Sequence, residues 1–192
     1  MNKDREFVDD NRDVSMSYYD LCDVDTSTKA NLKYIKKELK KLIKSEPYFL
    51  DSYSHLYQLL LNEDKVVEAR ELINMAYENA LELVLDKAGN WPDLIEWGWI
   101  ENRHIIRAIL NKGIDEWMFY RNDVALDIFR KLLRTNPRDN AGVRFYILAI
   151  LMKMSFEEYE EKFNKGGHYD DSSWKWFEKN CKKFANEFTG LE

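Results

Sequence analysis

Three arginines have a spacing and a sequence context that suit carboxylate binding. Arg103 and Arg107 lie one helical turn apart, and Arg144 follows a short polar junction between two apolar runs. A guanidinium group donates a fork of parallel N–H bonds that matches the two oxygens of a carboxylate. Arg144 allows two interpretations. It either forms a structural ion pair, with Asp139 or a carboxylate such as Glu101, or it binds a ligand, and we favour the structural interpretation.

Short polar side chains along one predicted helix form a second candidate surface. If the repeat register described below holds, the groove side of that helix presents Asp51, Ser54, Gln58 and Asn62. Such groups both donate and accept hydrogen bonds, which suits an extended peptide or its terminal carboxylate. This prediction depends on the fold and not on a motif.

No spacing typical of catalysis or of a metal site stands out in the sequence. Its three histidines are widely separated: His55, His104 and His168. None belongs to a pair four residues apart or lies near a cysteine nucleophile. The segment GGHYDD offers His168, Asp170 and Asp171 to a metal, but Asp171 or Ser172 more simply begins the last helix. We therefore predict a non-enzymatic protein without a metal or a cofactor.

Charge and composition narrow the classes of partner. The net charge of −6 disfavours nucleic-acid binding, and residues 1–25 contain eight acidic residues against three basic ones. We predict an acidic flexible tail over residues 1–13. No apolar run approaches the roughly 18 residues of a membrane span. The two cysteines, Cys22 and Cys181, lack metal spacing and indicate reduced packing residues in a cytoplasmic protein.

The apolar pattern predicts an all-α fold. Apolar residues recur at steps of three and four, sustained alternation is absent, and the 192 residues include only 3 Pro and 7 Gly. We expect eight or nine helices in antiparallel pairs within one domain, residues 14–188, with an inserted segment at about 81–102. The last helix would carry one apolar stripe as far as Phe188. Residues 189–192 are expected to be a disordered end or a vector scar.

Two proline-ended helices indicate an internal repeat. The residues twelve, eight and five positions before Pro137 are Ala125, Phe129 and Leu132, and those before Pro47 are Ile35, Leu39 and Leu42. Between them, Ala69 is the small residue expected where a second helix crosses a first. The chain resembles the tetratricopeptide class of about 34 residues per repeat, and Gly113 is the one copy of a glycine often found on the first helix.

Residues 97–152 are similar to the tetratricopeptide-like region of the suppressor of tumorigenicity seven family and its bacterial relatives. Two groups of residues carry the resemblance: Trp97, Gly98, Asn102, Arg103, Arg107 and Ala108, and then Asn136, Pro137, Asp139, Asn140, Gly142, Val143 and Arg144. His104-Ile105 stands where the family has Pro-Tyr, and Ala141 where it has Gln. The resemblance implies an α-solenoid scaffold and no catalytic residue.

The junction Thr135–Phe145 is interpreted as a helix–helix corner. Pro137 would end the preceding helix, and Asp139 or Asn140 would accept N–H bonds of the next helix. Gly142 would omit a Cβ where two helices approach closely. These residues are therefore expected to be structural.

Two further features allow a structural or a functional interpretation. A basic stripe on one helix is either a solvated face or a docking face for an acidic segment, such as the acidic N-terminus: Lys29, Lys33, Lys36, Lys37, Lys40, Lys41 and Lys44. A group of aromatic residues is more readily core than a cofactor box: Trp91, Trp97, Trp99, Trp117, Phe119 and Tyr120.

The predicted function is a non-enzymatic scaffold or adaptor that holds a peptide or a protein in a concave groove. The alternative is a structural or self-associating module, such as a homodimer. An enzyme with an unrecognised site is the remaining class.

Overall fold

A computed structural model describes residues 5–10, 15–167 and 171–188. Over these residues the chain forms nine α-helices: α1 Ser15–Cys22, α2 Lys29–Ser45, α3 Asp51–Leu61, α4 Val66–Val84, α5 Arg103–Met118, α6 Asn122–Thr135, α7 Val143–Leu151, α8 Phe156–Phe163 and α9 Asp171–Asn180. Two short 3-10 helices cover Ile100–Asn102 and Cys181–Glu187. The described residues contain no strand, only one isolated parallel bridge between Glu6 and Leu94. The all-α prediction is confirmed.

The chain divides into two compact units, Met1–Asn111 and Lys112–Glu192, and the boundary falls within α5. In the first unit α3 packs against both α2 and α4. In the second unit α7 packs against α6 and α9. Ala69 of α4 and Ala125 of α6 are both fully buried.

The two X-Pro corners share one backbone conformation. Glu46 before Pro47 has φ −134° and ψ 73°, and Asn136 before Pro137 has φ −134° and ψ 69°. Proline pushes the residue before it out of the helical region, which ends α2 and α6. In each corner the N–H of that residue still bonds the carbonyl four residues back, at 2.7 Å for Glu46 and 2.9 Å for Asn136.

A second type of turn occurs three times, between α3 and α4, between α5 and α6, and between α7 and α8. In each one an N–H bonds the carbonyl five residues back: Lys65 to Leu60, Arg121 to Glu116, and Met154 to Ala149, at 2.9–3.0 Å. The residue before each of these donors is left-handed: Asp64 at φ 57°, Tyr120 at φ 58° and Lys153 at φ 61°. This is the Schellman geometry of helix ends. Tight turns and X-Pro corners therefore alternate along much of the chain.

Gly113 allows a close approach of two helices in the second unit. A Cβ on Gly113 of α5 would lie 2.3 Å from Cε1 of Phe129 in α6, which is fully buried. The missing side chain lets the Phe129 ring lie directly against the α5 backbone. The glycine that the repeat pattern singled out thus has a packing role.

Several predicted details differ from the structure. The last helix ends at Asn180 and does not continue to Phe188, because the Asn180 side chain donates to the carbonyl of Trp176 at 2.8 Å and Phe184 leaves the helical region at φ −131°. Helix α1 was not predicted. Cys22 is exposed rather than packed in the core.

The amino-terminal strap, residues 5–10, is extended and bonded within the first unit, where a flexible tail was expected. Phe7 N–H donates to the carbonyl of Leu94 at 2.9 Å. Asp9 is buried and accepts from Nε2 of His104 at 2.8 Å, and Leu50 N–H donates to Nδ1 of the same ring at 3.1 Å. The Leu50 bond requires the neutral ring with its proton on Nε2. Residues 1–4, 11–14, 168–170 and 189–192 lie outside the described residues.

Candidate functional site

Trp97 is a platform for two of the predicted arginines in the first unit. The guanidinium carbon of Arg103 lies 5.3 Å from the centroid of the Trp97 ring, and that of Arg107 lies 5.8 Å from it. Arg103 also donates its Nε–H to the Trp97 carbonyl at 3.1 Å. Together with Asp51 these residues form what we call the arginine–tryptophan cluster. Both arginines are thus held by the ring and remain partly exposed.

Asp51 occupies one edge of Arg107 through two hydrogen bonds. Nε of Arg107 donates to Oδ1 at 2.8 Å, and Nη2 donates to Oδ2 at 2.5 Å. The Asp51 side chain is 4% exposed, whereas that of Arg107 is 37% exposed. Burial opposes the charge on Arg107, but the hydrogen bond and the charge of Asp51 raise its pKa above the ordinary value. Asp51 also opens α3, where a carboxylate is favourable.

Arg103 differs from Arg107 in its charged neighbours. Among the described residues, no carboxylate lies within ion-pair distance of its guanidinium group. Its side chain is half-buried on Trp97. Its orientation is therefore fixed by a ring and one carbonyl, while its charge is available to a carboxylate from outside.

The structure separates the predicted polar stripe of α3 into two parts. Asp51 and Ser54 are buried, and Gln58 and Asn62 are exposed. Asp51 is bonded to Arg107, and Ser54 Oγ has no hydrogen-bond partner among the described residues. Only Gln58 and Asn62 present side chains to solvent, so the stripe does not act as one uniform surface.

Two titratable groups surround Asp51. The edge of the Tyr18 ring meets His55 at a centroid distance of 6.0 Å. Burial, followed by the charge of Asp51, raises the pKa of Tyr18 above its ordinary range. Burial lowers the pKa of His55, although Asp51 opposes that change. Both groups are therefore neutral near pH 7, and Arg103 and Arg107 are the positively charged side chains of the cluster.

The predicted corner residue Arg144 lies in a similar arrangement in the second unit. Its Nε donates to Oδ2 of Asp139 at 2.8 Å, and its guanidinium carbon lies 5.7 Å from the centroid of Trp174. We call Asp139, Arg144 and Trp174 the corner cluster. The Arg144 side chain is 10% exposed and that of Asp139 is 1% exposed. Of the two carboxylates proposed from the sequence, Asp139 is the partner.

Asp139 also caps α7, as the sequence predicted. Its Oδ1 accepts the N–H of Val143 at 2.6 Å, and its Oδ2 accepts the N–H of Arg144 at 2.9 Å. Burial raises the pKa of Asp139, and these hydrogen bonds oppose the rise. Asn140, the other predicted cap, is exposed. The carboxylate therefore serves one helix end and one arginine at the same time.

The role predicted for Gly142 is wrong. A Cβ there would touch only the ring of Phe145 at 3.6 Å, so no neighbouring helix requires its absence. Gly142 instead has φ 69°, a left-handed conformation in which glycine carries no steric cost. Asn136 is buried at the end of α6, and Pro137 is exposed.

The lysine stripe is mostly solvated. Lys36 of α2 forms an ion pair with Glu63, and Lys65 contacts the same carboxylate at 2.9 Å. These hydrogen bonds lower the pKa of Glu63 to about 2. The other lysines of the stripe are exposed: Lys29, Lys33, Lys37, Lys40, Lys41 and Lys44. The amino-terminal strap forms its hydrogen bonds and its ion pair with residues between Val84 and His104.

The predicted aromatic group is divided between the units. Trp117 is buried and donates its Nε1–H to the carbonyl of Met154 at 3.1 Å. Trp99 is 46% exposed and donates to Glu6 at 2.7 Å, and Tyr120 is 71% exposed. Trp91 and Trp97 are half-buried, and Phe119 is exposed. Of this group, only Trp117 belongs to the buried core of the described residues.

Sequence reasoning missed two side-chain arrangements of the first unit. Trp97 was assigned to packing, although a tryptophan shortly before arginines spaced by one turn is a possible signal of a stacked platform. The buried pair of Asp9 and His104 had no signal, because 95 residues separate its members.

Over the described residues, no group of three or more His, Cys, Asp or Glu side chains could hold a metal ion. In the same part of the chain, no helix is both long enough and apolar enough to cross a bilayer. Comparison with family models, with curated proteins and with solved structures finds no match for this chain.

Proposed function

We propose that this chain is a tetratricopeptide-like helical repeat protein that binds an acidic segment of a partner protein through the arginine–tryptophan cluster. Recurring turn geometry supports the repeat assignment. Three Schellman turns join helix pairs, and two X-Pro corners with matching φ and ψ join one pair to the next. The resemblance of residues 97–152 to the suppressor of tumorigenicity seven family points the same way. Each pair in such an array hides its apolar face against its neighbours.

The observation that carries the binding proposal is Arg103 itself. Its guanidinium stacks on Trp97 beside Arg107, and no described carboxylate neutralises it. A stacked, half-exposed arginine loses little conformational entropy when a carboxylate binds, because its planar fork is already oriented. The exposed Gln58 and Asn62 offer additional hydrogen bonds elsewhere in the same unit.

A non-enzymatic role agrees with the chemistry of this site. Asp51 is bonded to Arg107, and the pKa shifts of Tyr18 and His55 keep both groups neutral. The site thus offers charge and hydrogen-bond donors for recognition, without an activated nucleophile. Recognition of a carboxylate side chain or of a chain terminus is what these groups perform best.

Selection from a random peptide library tests the proposal without a known partner. The intact protein should enrich peptides rich in Asp and Glu, and Arg103→Gln should lose that enrichment, with affinity for the selected peptides reduced by about tenfold. Lys37→Gln removes one exposed positive charge from the same unit and is the matched control. It should retain the enrichment.

Two outcomes would overturn the proposal. One is a selection without any preference for acidic residues. The other is an equal loss of affinity for Arg103→Gln and Lys37→Gln, which would assign the attraction to general charge on the lysine-rich unit. Amidated copies of the selected peptides then separate a terminal carboxylate from a side-chain carboxylate as the bound group.

A further inference from the structure

A cavity of about 330 Å³ opens in the second unit where the start of α7 meets α9. Four aromatic side chains form its walls: Phe145, Tyr146, Tyr159 and Trp174. The volume is at the lower end of the range of ligand pockets, so the cavity suits one side chain rather than a large molecule. It lies apart in sequence from the arginine–tryptophan cluster and belongs to the other unit.

The aromatic walls are held in place by each other. The ring of Phe145 meets that of Trp174 edge-on at a centroid distance of 4.9 Å, and Tyr146 meets Tyr159 edge-on at 5.4 Å. Tyr159 is 2% exposed, whereas Trp174 is 50% exposed. The cavity therefore has a buried side and an open tryptophan side, and its shape exists before any ligand arrives.

Asp171 lines the cavity, and none of its described lining residues is basic. Burial raises the pKa of the Tyr159 hydroxyl, and the neighbouring Tyr146, Glu160 and Asp139 raise it further. An aromatic ring attracts a cation through its negative face, and the attraction grows where water is excluded.

The positive charge that lies over the Trp174 ring is already paired. Arg144 lies 5.7 Å from the Trp174 centroid, but Asp139 holds its Nε at 2.8 Å. The first N–H groups of α7, which would otherwise attract an anion, are also bonded to Asp139. An anion in the cavity would in addition meet the carboxylate of Asp171. The chemistry therefore favours a cation.

We propose that this cavity binds the ammonium end of a lysine side chain from a partner peptide. The methylene groups of lysine would contact the Phe145 and Tyr146 rings, and the ammonium would lie between the Trp174 ring and the Asp171 carboxylate. This inference deepens the proposed function, on which it rests, by adding a second recognised side chain of opposite charge.

Titration of the intact protein with N-acetyl-lysine N-methylamide tests the inference, with the Trp174 indole N–H as an NMR probe. The control ligand is N-acetyl-norleucine N-methylamide, which has nearly the same shape and no charge. Lysine should bind at least about fivefold more tightly than norleucine. Asp171→Asn should weaken lysine binding about threefold and leave norleucine binding unchanged.

Two tryptophan variants complete the test, read by calorimetry. Trp174→Leu should abolish lysine binding, whereas Trp99→Leu, a comparably exposed tryptophan of the first unit, should preserve it. Equal affinity for lysine and norleucine, or undiminished lysine binding by Asp171→Asn, would overturn the inference. Asp171 is exposed, so its variant stays informative if Trp174→Leu does not fold.

The two proposals can fail separately. Arg103→Gln should leave the lysine affinity unchanged, because Arg103 belongs to the first unit. A failure of lysine binding with intact selection of acidic peptides rejects the cavity alone. Loss of the acidic preference with intact lysine binding rejects only the carboxylate site.

Discussion

Two arginines in this protein, Arg107 and Arg144, have the same kinds of neighbour and different surroundings. Each is paired with an aspartate and lies over a tryptophan ring at nearly the same distance, 5.8 Å and 5.7 Å. The side chain of Arg107 is 37% exposed, and that of Arg144 is 10% exposed. Exposure, and not the kind of contact, therefore distinguishes the two clusters.

The two aspartates differ as well. Asp139 bonds two backbone N–H groups of α7 besides its arginine, so it connects the corner to the helix. Asp51 opens α3, and its side chain accepts two hydrogen bonds from Arg107. The arginine–tryptophan cluster also contains Arg103, whereas the corner cluster was defined with one arginine, Arg144. The arginine–tryptophan cluster therefore has one positive charge that Asp51 does not neutralise. In the corner cluster, one aspartate neutralises one arginine.

The largest expected effect is that of Arg144→Ala. This change leaves the 1%-exposed Asp139 carboxylate without its ion pair, and we expect the free energy of unfolding to fall by about 3 kcal/mol. Urea unfolding followed by circular dichroism measures it. Lost peptide binding with an unchanged unfolding midpoint would instead make Arg144 a ligand-binding residue.

Gly113→Val tests the packing of α5 against Phe129 of α6 in the second unit. Its Cβ would lie 2.3 Å from the Phe129 ring, and we expect overpacking to lower the free energy of unfolding by about 2 kcal/mol. Thermal melting and urea unfolding should agree on the loss. A neutral or stabilising result would show that α5 and α6 are not in close contact at Gly113.

A smaller loss is expected for Arg107→Ala. Asp51 keeps its favourable place at the start of α3, and water can reach it once the half-exposed arginine is gone, so about 1 kcal/mol should be lost. Arg103→Ala is the matched control and should change the unfolding midpoint less. If Arg107→Ala costs as much as Arg144→Ala, exposure does not explain the difference between the clusters.

The smallest effect is a gain, from Tyr120→Gly. Tyr120 is 71% exposed and has φ 58°, which costs a non-glycine residue free energy that glycine avoids. We expect about 0.5–1 kcal/mol of stabilisation in urea unfolding. Asp64→Gly should gain less, because Asp tolerates the left-handed region better than Tyr. Destabilisation by both variants would argue against the shared turn geometry.

The helices could be predicted from local sequence patterns, whereas the arginine–tryptophan cluster depends on contacts between residues that are distant in sequence. Proline and the apolar spacing were enough to place the ends of α2 and α6, because those signals act within a few residues. The sequence also predicted Asp139 as a candidate cap of α7 and a candidate partner of Arg144, because Asp139, Arg144 and the start of α7 are close in sequence. A glycine at position 142 can indicate either a left-handed backbone conformation or a close approach of two helices, and the sequence alone does not distinguish these explanations.

The pairing of Asp51 with Arg107 could not be foreseen, because 56 residues separate the two. Both residues were named as ligand-binding candidates for their types, and the structure bonds them to each other. The amino-terminal strap is a second example of a contact between distant residues that the sequence did not predict. Its charge suggested a flexible tail, yet Asp9 is buried against His104, far along the chain. Charge predicts solvation only until a specific partner is available.

The arginine side-chain Nε–H signals in an NMR titration with a library-selected acidic peptide test the central claim most directly. Arg103→Gln identifies the Arg103 signal by its loss. The account predicts that the Arg103 signal shifts and saturates with the peptide, while the buried Arg144 signal stays in place. A stationary Arg103 signal, or a shift of Arg144 alone, would contradict it.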